Sequence, residues 1–167
     1  MVINLKGLLN GDDKVVSVDT FLDFTSEEYA GEKLFSKPTA VTGKIFNKAG
    51  VTELSLTCSV TVEKPCDRCG KTVVKELQIT INRVLVTETQ DEENVDLLVV
   101  EGYQLDLYEV CFSEILLALP MKHLCSEDCK GICPTCGKNL NDGDCGCVTK
   151  SVDPRLEVLL ELLKDED

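Results

Sequence analysis

Residues 51 to 86 read V-T-E-L-S-L-T-C-S-V-T-V-E-K-P-C-D-R-C-G-K-T-V-V-K-E-L-Q-I-T-I-N-R-V-L-V. In the first half, Leu54, Leu56, Cys58, Val60 and Val62 alternate with Ser55, Thr57, Ser59 and Thr61. A period of two marks a strand with one face in a core and the other in solvent. Pro65 ends the run, because it has no N–H to give a ladder. A turn follows at Cys66-Asp67-Arg68-Cys69-Gly70, and Val73, Leu77, Ile79, Ile81, Val84 and Val86 then lie in a second long β run. The order is strand, knuckle, strand. A C-x2-C pair thus sits at a hairpin tip, exposed enough to reach a metal and rigid enough to hold one.

Working outward, Thr39 to Phe46 holds β-formers in partial alternation, and Asn47-Lys48-Ala49-Gly50 is a turn signal. Further upstream Val15-Val16-Ser17-Val18 is a candidate strand, and Ser26-Glu27-Glu28-Tyr29 a helix start or a turn. Downstream, residues 88 to 96 form an acidic loop and Leu97-Leu98-Val99-Val100 a short strand. Asp106 is a credible N-cap for a helix from about Leu107 to Leu119. Leu107, Val110, Cys111, Glu114, Ile115 and Ala118 share one face of it, and Pro120 stops it. Asp153-Pro154 opens a short amphipathic terminal helix carrying Leu156, Leu159, Leu160 and Leu163. The fold class expected is α+β: an antiparallel sheet or partly open β-barrel with a helix, then a C-terminal zinc-binding segment and the terminal helix. We expect residues 1–122 to form the α+β domain with its C-x2-C hairpin tip, and residues 123–167 the Cys-rich segment and helix.

Leu124 to Cys147 reads L-C-S-E-D-C-K-G-I-C-P-T-C-G-K-N-L-N-D-G-D-C-G-C and holds six of the ten cysteines. No sustained apolar run precedes Asn10-Gly11-Asp12-Asp13, so a cytoplasmic chain with reduced thiols is expected, where clustered C-x2-C pairs read as metal sites or redox centres. Zinc is the favoured ligand. A disulfide framework needs an oxidising compartment, and a thioredoxin-like centre needs its motif to open a helix after a strand. An iron–sulfur cluster would also accept four thiolates. Cys133, Cys136, Cys145 and Cys147 form a self-contained module around the turn-rich loop from Gly137 to Asp144. Cys125 and Cys129 then need two more ligands, for which Cys66 and Cys69 are the obvious donors; the rival arrangement is one zinc on four of the six C-terminal thiols. Cys58 and Cys111 read as buried core thiols. His123 reads as a bystander to the Cys-rich run.

The chain has 167 residues, 43% of them hydrophobic, and a net charge of −13. No apolar run approaches the roughly 20 residues of a membrane helix. Two zinc–tetrathiolate sites would deepen the charge to about −17. Binding to a phosphate backbone needs Lys/Arg clusters, so the physical preference is for a basic partner. The acid is uneven: between Arg83 and Lys122 there is no Lys or Arg, while Glu88, Asp91, Glu92, Glu93, Asp96, Glu101, Asp106, Glu109 and Glu114 lie there. That window is either a solvated face or a docking surface for a cationic protein. A zinc-dependent nuclease or hydrolase would need an open coordination position, usually with His or carboxylate ligands, and the chain has a single His. A thiol-redox factor would need a depressed cysteine pKa.

Four features, in order, resemble the YceD family of large ribosomal RNA subunit accumulation proteins, in its Cys-rich Gram-positive or plastid type. They are Cys66-Asp67-Arg68-Cys69-Gly70 after a strand, Glu114-Ile115-Leu116-Leu117-Ala118-Leu119-Pro120, the run from Leu124 to Asn141, and Asp153-Pro154-Arg155-Leu156. The resemblance covers about residue 40 to the C-terminus. It implies a non-enzymatic cytoplasmic factor supporting accumulation or processing of 23S rRNA in large ribosomal subunit biogenesis. It also implies a basic ribosomal protein or a pre-ribosomal particle as partner, since the family's gene often neighbours that of a small basic zinc-containing ribosomal protein. Some members lack the C-P-x-C-G module, keep the first C-x-R-C, and carry a His pair where Cys125 and Cys129 stand. That pattern implies one site of Cys66, Cys69, Cys125 and Cys129 beside a second of Cys133, Cys136, Cys145 and Cys147.

Overall fold

The computed structural model describes residues 1–11, 14–29, 31–88 and 96–147. Its centre is the hairpin read from the sequence. Strand β4 (Val51–Pro65) pairs with β5 (Thr72–Val86) from Thr52↔Leu85 to Pro65↔Thr72. On β4 the inward positions are Thr52, Leu54, Leu56, Cys58, Val60 and Val62, all buried, as the period of two required.

On β5 the buried residues are Ile79, Ile81 and Leu85. Val84 and Val86 lie out of this phase, and Leu85 takes the inward place. Arg83 shares the inward phase opposite Leu54. A charged residue there disguises the alternation, and it is tolerated because Glu114 meets it: Arg83 Nη2 lies 2.7 Å from Oε1 and 2.8 Å from Oε2.

Strand β3 (Thr39–Lys48) joins β4 through the two-residue turn Ala49-Gly50, with φ of 53° and 87°. Two positive φ values give the mirror-image turn whose twist suits a tight hairpin. Strand β2 (Val15–Leu22) pairs antiparallel with β3. Strand β6 (Leu97–Val99) pairs with β5 in parallel, from Val84↔Leu97 to Val86↔Val99. The sheet order β2-β3-β4-β5-β6 leaves β2 and β6 as unjoined edges, so the sheet is open, and its last strand departs from the antiparallel pattern expected. The sequence of a three-residue strand carries no signal for direction. Bonds at its ends set it, Val84 N to Asp96 O and Val100 N to Val86 O.

A short pair, β1 (Val2–Asn4) with β7 (Gln104–Asp106), and helix α1 (Lys6–Asn10) close one end. Helix α2 (Leu107–Ala118) starts where Asp106 accepts from the Tyr108 N–H, as its N-cap reading required. It buries Leu107, Cys111 and Ile115, an i, i+4, i+8 stripe. Ala118, expected on that face, is exposed: it is the last residue of the helix, past the final buried turn. Against α2 pack Phe24 and Phe35, with ring centroids 4.8 Å from Phe24 to Tyr108 and 5.4 Å from Phe24 to Phe112. The Tyr108 hydroxyl donates to Glu27 at 2.6 Å, and that carboxylate, with burial, pushes the phenol up to about 12. The fold is α+β, as expected. Ser26 lies in a turn and starts no helix. The acidic residues Asp91, Glu92 and Glu93 and the terminal helix at 153–164 lie outside the described residues. Among those described, no helix is long and apolar enough to cross a membrane.

Candidate metal centres

Two groups of four thiols converge, Cys66, Cys69, Cys125 and Cys129 at the hairpin tip, and Cys133, Cys136, Cys145 and Cys147 beyond it. Within each group the four sulfurs lie within 4.8 Å of one another.

The tip group is built by the β4–β5 arms and by the chain leaving α2. The Cys66 N–H donates to Lys71 O at 2.8 Å and the Gly70 N–H to Cys66 O at 2.9 Å, which closes the knuckle. The second pair of thiols is brought in by a backbone clamp. Asp67 N donates to His123 O at 2.9 Å, and His123 N donates to Asp67 Oδ2 at 2.6 Å. The His123 ring is 5% exposed and its Nε2 lies 3.2 Å from Val73 O. It stands outside both thiol groups and serves the clamp. Arg68 Nη1 donates to Cys129 O at 2.8 Å, which fixes the incoming loop from the other side. Gly131 is needed there: its φ is +75° and a Cβ would lie 3.1 Å from Arg68 O.

The second group repeats the first. The Cys133 N–H donates to Lys138 O at 2.8 Å and the Gly137 N–H to Cys133 O at 2.9 Å. Both knuckles therefore share one bonding pattern and one sequence, C-x-x-C-G-K, at 66–71 and 133–138. That shared hexapeptide was the available sign that the two segments do the same work. The loop from the second knuckle is shaped by its own polar side chains. Asn139 Oδ1 accepts from Asn141 N at 3.0 Å, and Gly146 N donates to Asp144 Oδ1 at 3.0 Å.

The donor set suits a single ion. Four sulfurs about 2.3 Å from a tetrahedral centre are about 3.8 Å apart. Here Cys66 Sγ to Cys129 Sγ is 3.8 Å and Cys69 Sγ to Cys125 Sγ is 3.7 Å. A cluster would need room for several irons and sulfides between the thiolates, which this spacing does not leave. Donors also aim at the sulfurs: Cys125 N reaches Cys66 Sγ at 3.3 Å, and Asn141 Nδ2 reaches Cys129 Sγ at 3.3 Å.

These surroundings split the thiols electrostatically. Burial raises the Cys66 thiol, but the backbone N–H groups of Arg68, Cys125 and Cys69 together bring it down to about 6. The N–H groups of Cys136 and Thr135 bring Cys133 down to about 6. The Asn141 amide lowers Cys129. For Cys69 the Lys71 N–H pulls down, yet burial and the neighbouring thiols push it up to about 12. Cys136, then Cys145, hold Cys147 up to about 12. In the tip group the lowered Cys66 and Cys129 stand beside the raised Cys69, and in the second group the lowered Cys133 stands beside the raised Cys147, so each group resists carrying four thiolates at once. A central cation removes that resistance, because it supplies the positive charge that four thiolates lack. Either group could hold a metal ion.

Cys58 and Cys111 are core thiols, as expected, fully buried, free, and hydrogen-bonded thiol to thiol. Of the acidic window, Glu114 is held by Arg83, and Asp106 by the N-cap bond and the Met1 ammonium at 3.0 Å. Sequence reasoning singled out neither Arg68 nor Asn141 as partners of the tip thiols.

Compared with known proteins, the chain matches the family model "Large ribosomal RNA subunit accumulation protein YceD" over residues 54–163, a span that includes both knuckles. It is 32% identical over 135 residues to the uncharacterized protein YlbN of Bacillus subtilis (strain 168), covering 78% of this chain and 77% of that one. An uncharacterized protein of Mycobacterium bovis is 31% identical over 107 residues, 60% of this chain and 50% of its own length. One from Mycobacterium leprae is 31% identical over 80 residues, 45% of this chain and 36% of its own. No solved structure matches the chain.

Proposed function

We infer that this chain, which belongs to the YceD family of large ribosomal RNA subunit accumulation proteins, is a non-catalytic factor in large ribosomal subunit biogenesis, supporting 23S rRNA accumulation or processing. The observation that carries this reading is the family match, which runs from the central hairpin through both thiol groups. In this reading each group holds one structural zinc ion. Ligands are Cys66, Cys69, Cys125 and Cys129 in one site, and Cys133, Cys136, Cys145 and Cys147 in the other. Residues 1–122 are the scaffold and 123–167 the Cys-rich zinc-binding segment and C-terminal helix, with His123 and Cys129 held at the hairpin tip. Zinc would supply the charge that lets four thiolates stand together. The protein supplies the knuckle N–H groups, the Arg68 brace and the His123–Asp67 clamp.

Four thiolates leave a tetrahedral ion no open position for water or substrate, which argues against hydrolytic chemistry at either site. Among the described residues, these two are the groups of His, Cys, Asp and Glu arranged to hold a metal. The charge of −13 favours a basic partner, a ribosomal protein or a protein-covered face of a pre-ribosomal particle, met in the cytoplasm. The test is co-sedimentation of tagged full-length protein with ribosomal particles at low and high salt, with 23S precursor levels followed on depletion. Salt-sensitive association with immature large subunits or a free basic ribosomal protein, and precursor accumulation on depletion, are expected. Absence of association at low salt, with unchanged precursors, would sink the reading.

A further inference from the structure

Asn141 belongs to one thiol group by sequence and to the other by contact. It lies in the eight-residue loop between Cys136 and Cys145, which the second site closes. Its Nδ2 donates to Cys129 Sγ of the tip site at 3.3 Å, and its Oδ1 accepts from Lys130 N at 2.8 Å. The same loop is stitched to the segment leaving Cys129. Leu140 N donates to Gly131 O at 2.9 Å, Ile132 forms an antiparallel bridge with Asn139, and Cys133 N donates to Lys138 O at 2.8 Å. On the far side of that segment, Gly131 rests on Arg68 O and Arg68 holds Cys129 O.

We propose that the two sites load metal cooperatively, and that Asn141 is the positioning residue that couples them. This rests on the metal reading above. The loop is Gly-Lys-Asn-Leu-Asn-Asp-Gly-Asp, a composition with high conformational entropy when open. Closing it through Cys136 and Cys145 places the Asn141 amide against Cys129. An N–H donor on a ligating thiolate stabilises its charge and fixes its direction, so a filled second site raises the affinity of the tip site. Linkage requires the reverse effect by the same factor. The sign is diagnostic. Each loaded tetrathiolate carries net negative charge, so electrostatics alone would make the two ions bind against one another.

The test is anaerobic titration of the full-length protein with cobalt(II), read by thiolate–cobalt charge-transfer absorption and by competition with a chelator. The tip site is read alone in Cys136→Ser/Cys145→Ser protein, and the second site alone in Cys66→Ser/Cys69→Ser protein. Each is expected to bind about 10- to 100-fold more weakly than in the intact chain, by matching factors. Asn141→Asp keeps all eight thiols and the acceptor for Lys130. It should weaken the tip site by a similar factor, and Asn141→Ala should change little once the second site is already removed. Circular dichroism checks that the sheet persists in each variant. Two ions bound with affinities indifferent to Asn141 and to the state of the other site would overturn the coupling and leave the metal reading standing. A wild-type chain that binds no ion at either site would overturn both.

Discussion

At the scale of single residues, two backbone positions decide how β3 meets β4. Ala49 sits at φ 53°, a left-handed conformation that strains an L side chain and suits glycine or asparagine. Ala49→Gly or Ala49→Asn should raise stability by about 0.5–1 kcal/mol, measured as a shift in denaturant midpoint at constant slope. Gly43 has the opposite character. Its φ is +151°, and a Cβ there would lie 2.2 Å from Ser55 O and 2.8 Å from Leu56 Cα, both backbone atoms that cannot swing aside. Gly43→Ala should cost more than about 2 kcal/mol, because the strands must separate locally. An unchanged midpoint would refute the close approach. Asn47 to Gly50 was legible as a turn because its residue types match turn chemistry. A glycine inside a strand pattern signals a close approach without saying to what.

At the scale of elements, an ion pair ties α2 to the sheet. The Arg83 and Glu114 side chains are 23% and 20% exposed, enough burial that either charge alone is costly. Glu114→Ala should lose about 1–3 kcal/mol. The double variant Arg83→Met/Glu114→Leu should recover most of it, and a double-mutant cycle separates the pair from its packing. Asp106 makes a second prediction at this scale. The N-terminal ammonium, then the Tyr108 N–H, hold its carboxyl below its ordinary 3.8. A depressed carboxylate contributes stability above the unfolded value and loses it as pH falls through the folded one. Asp106→Asn keeps an N-cap acceptor and should flatten the decline in stability below about pH 4. Long alternating strands and a capped helix were legible here because each is a local pattern. The phase of β5 was hidden by Arg83, whose place is set by a residue on another element. The pairing of β1 with β7 was hidden for a like reason: Leu5 N to Tyr103 O and Leu107 N to Met1 O are bonds between distant stretches.

At the scale of the whole molecule, the expected grouping of thiols into two fours was legible in their spacing and in a family resemblance, and the structure brings the same eight together. Their supports were not legible, because Arg68 and Asn141 act across gaps of 61 and 12 residues. On the zinc reading, elemental analysis of anaerobically purified protein should give two zincs per chain. Cys66→Ser should empty the tip site and Cys133→Ser the second. Iron in either site, or no metal, would contradict the assignment. Chelation should loosen the tip and the segment after α2 first, seen as faster hydrogen exchange near His123 while the centre of β4 stays protected.

The hairpin tip has one more consequence, in the language of polymer chains. Joining Cys69 to Cys125 ties together positions 56 apart, whereas joining Cys136 to Cys145 ties a loop of about nine. The entropy that a cross-link removes from an unfolded chain grows with the logarithm of the loop, so the long tie confines the denatured ensemble by roughly half as much again as the short one. It also encloses all of β5, β6, β7 and α2. An ion at the hairpin tip therefore acts as a staple on the topology: a chain that keeps it while unfolded already holds the ends of its largest excursion together, and has only to fill in the sheet and helix between them.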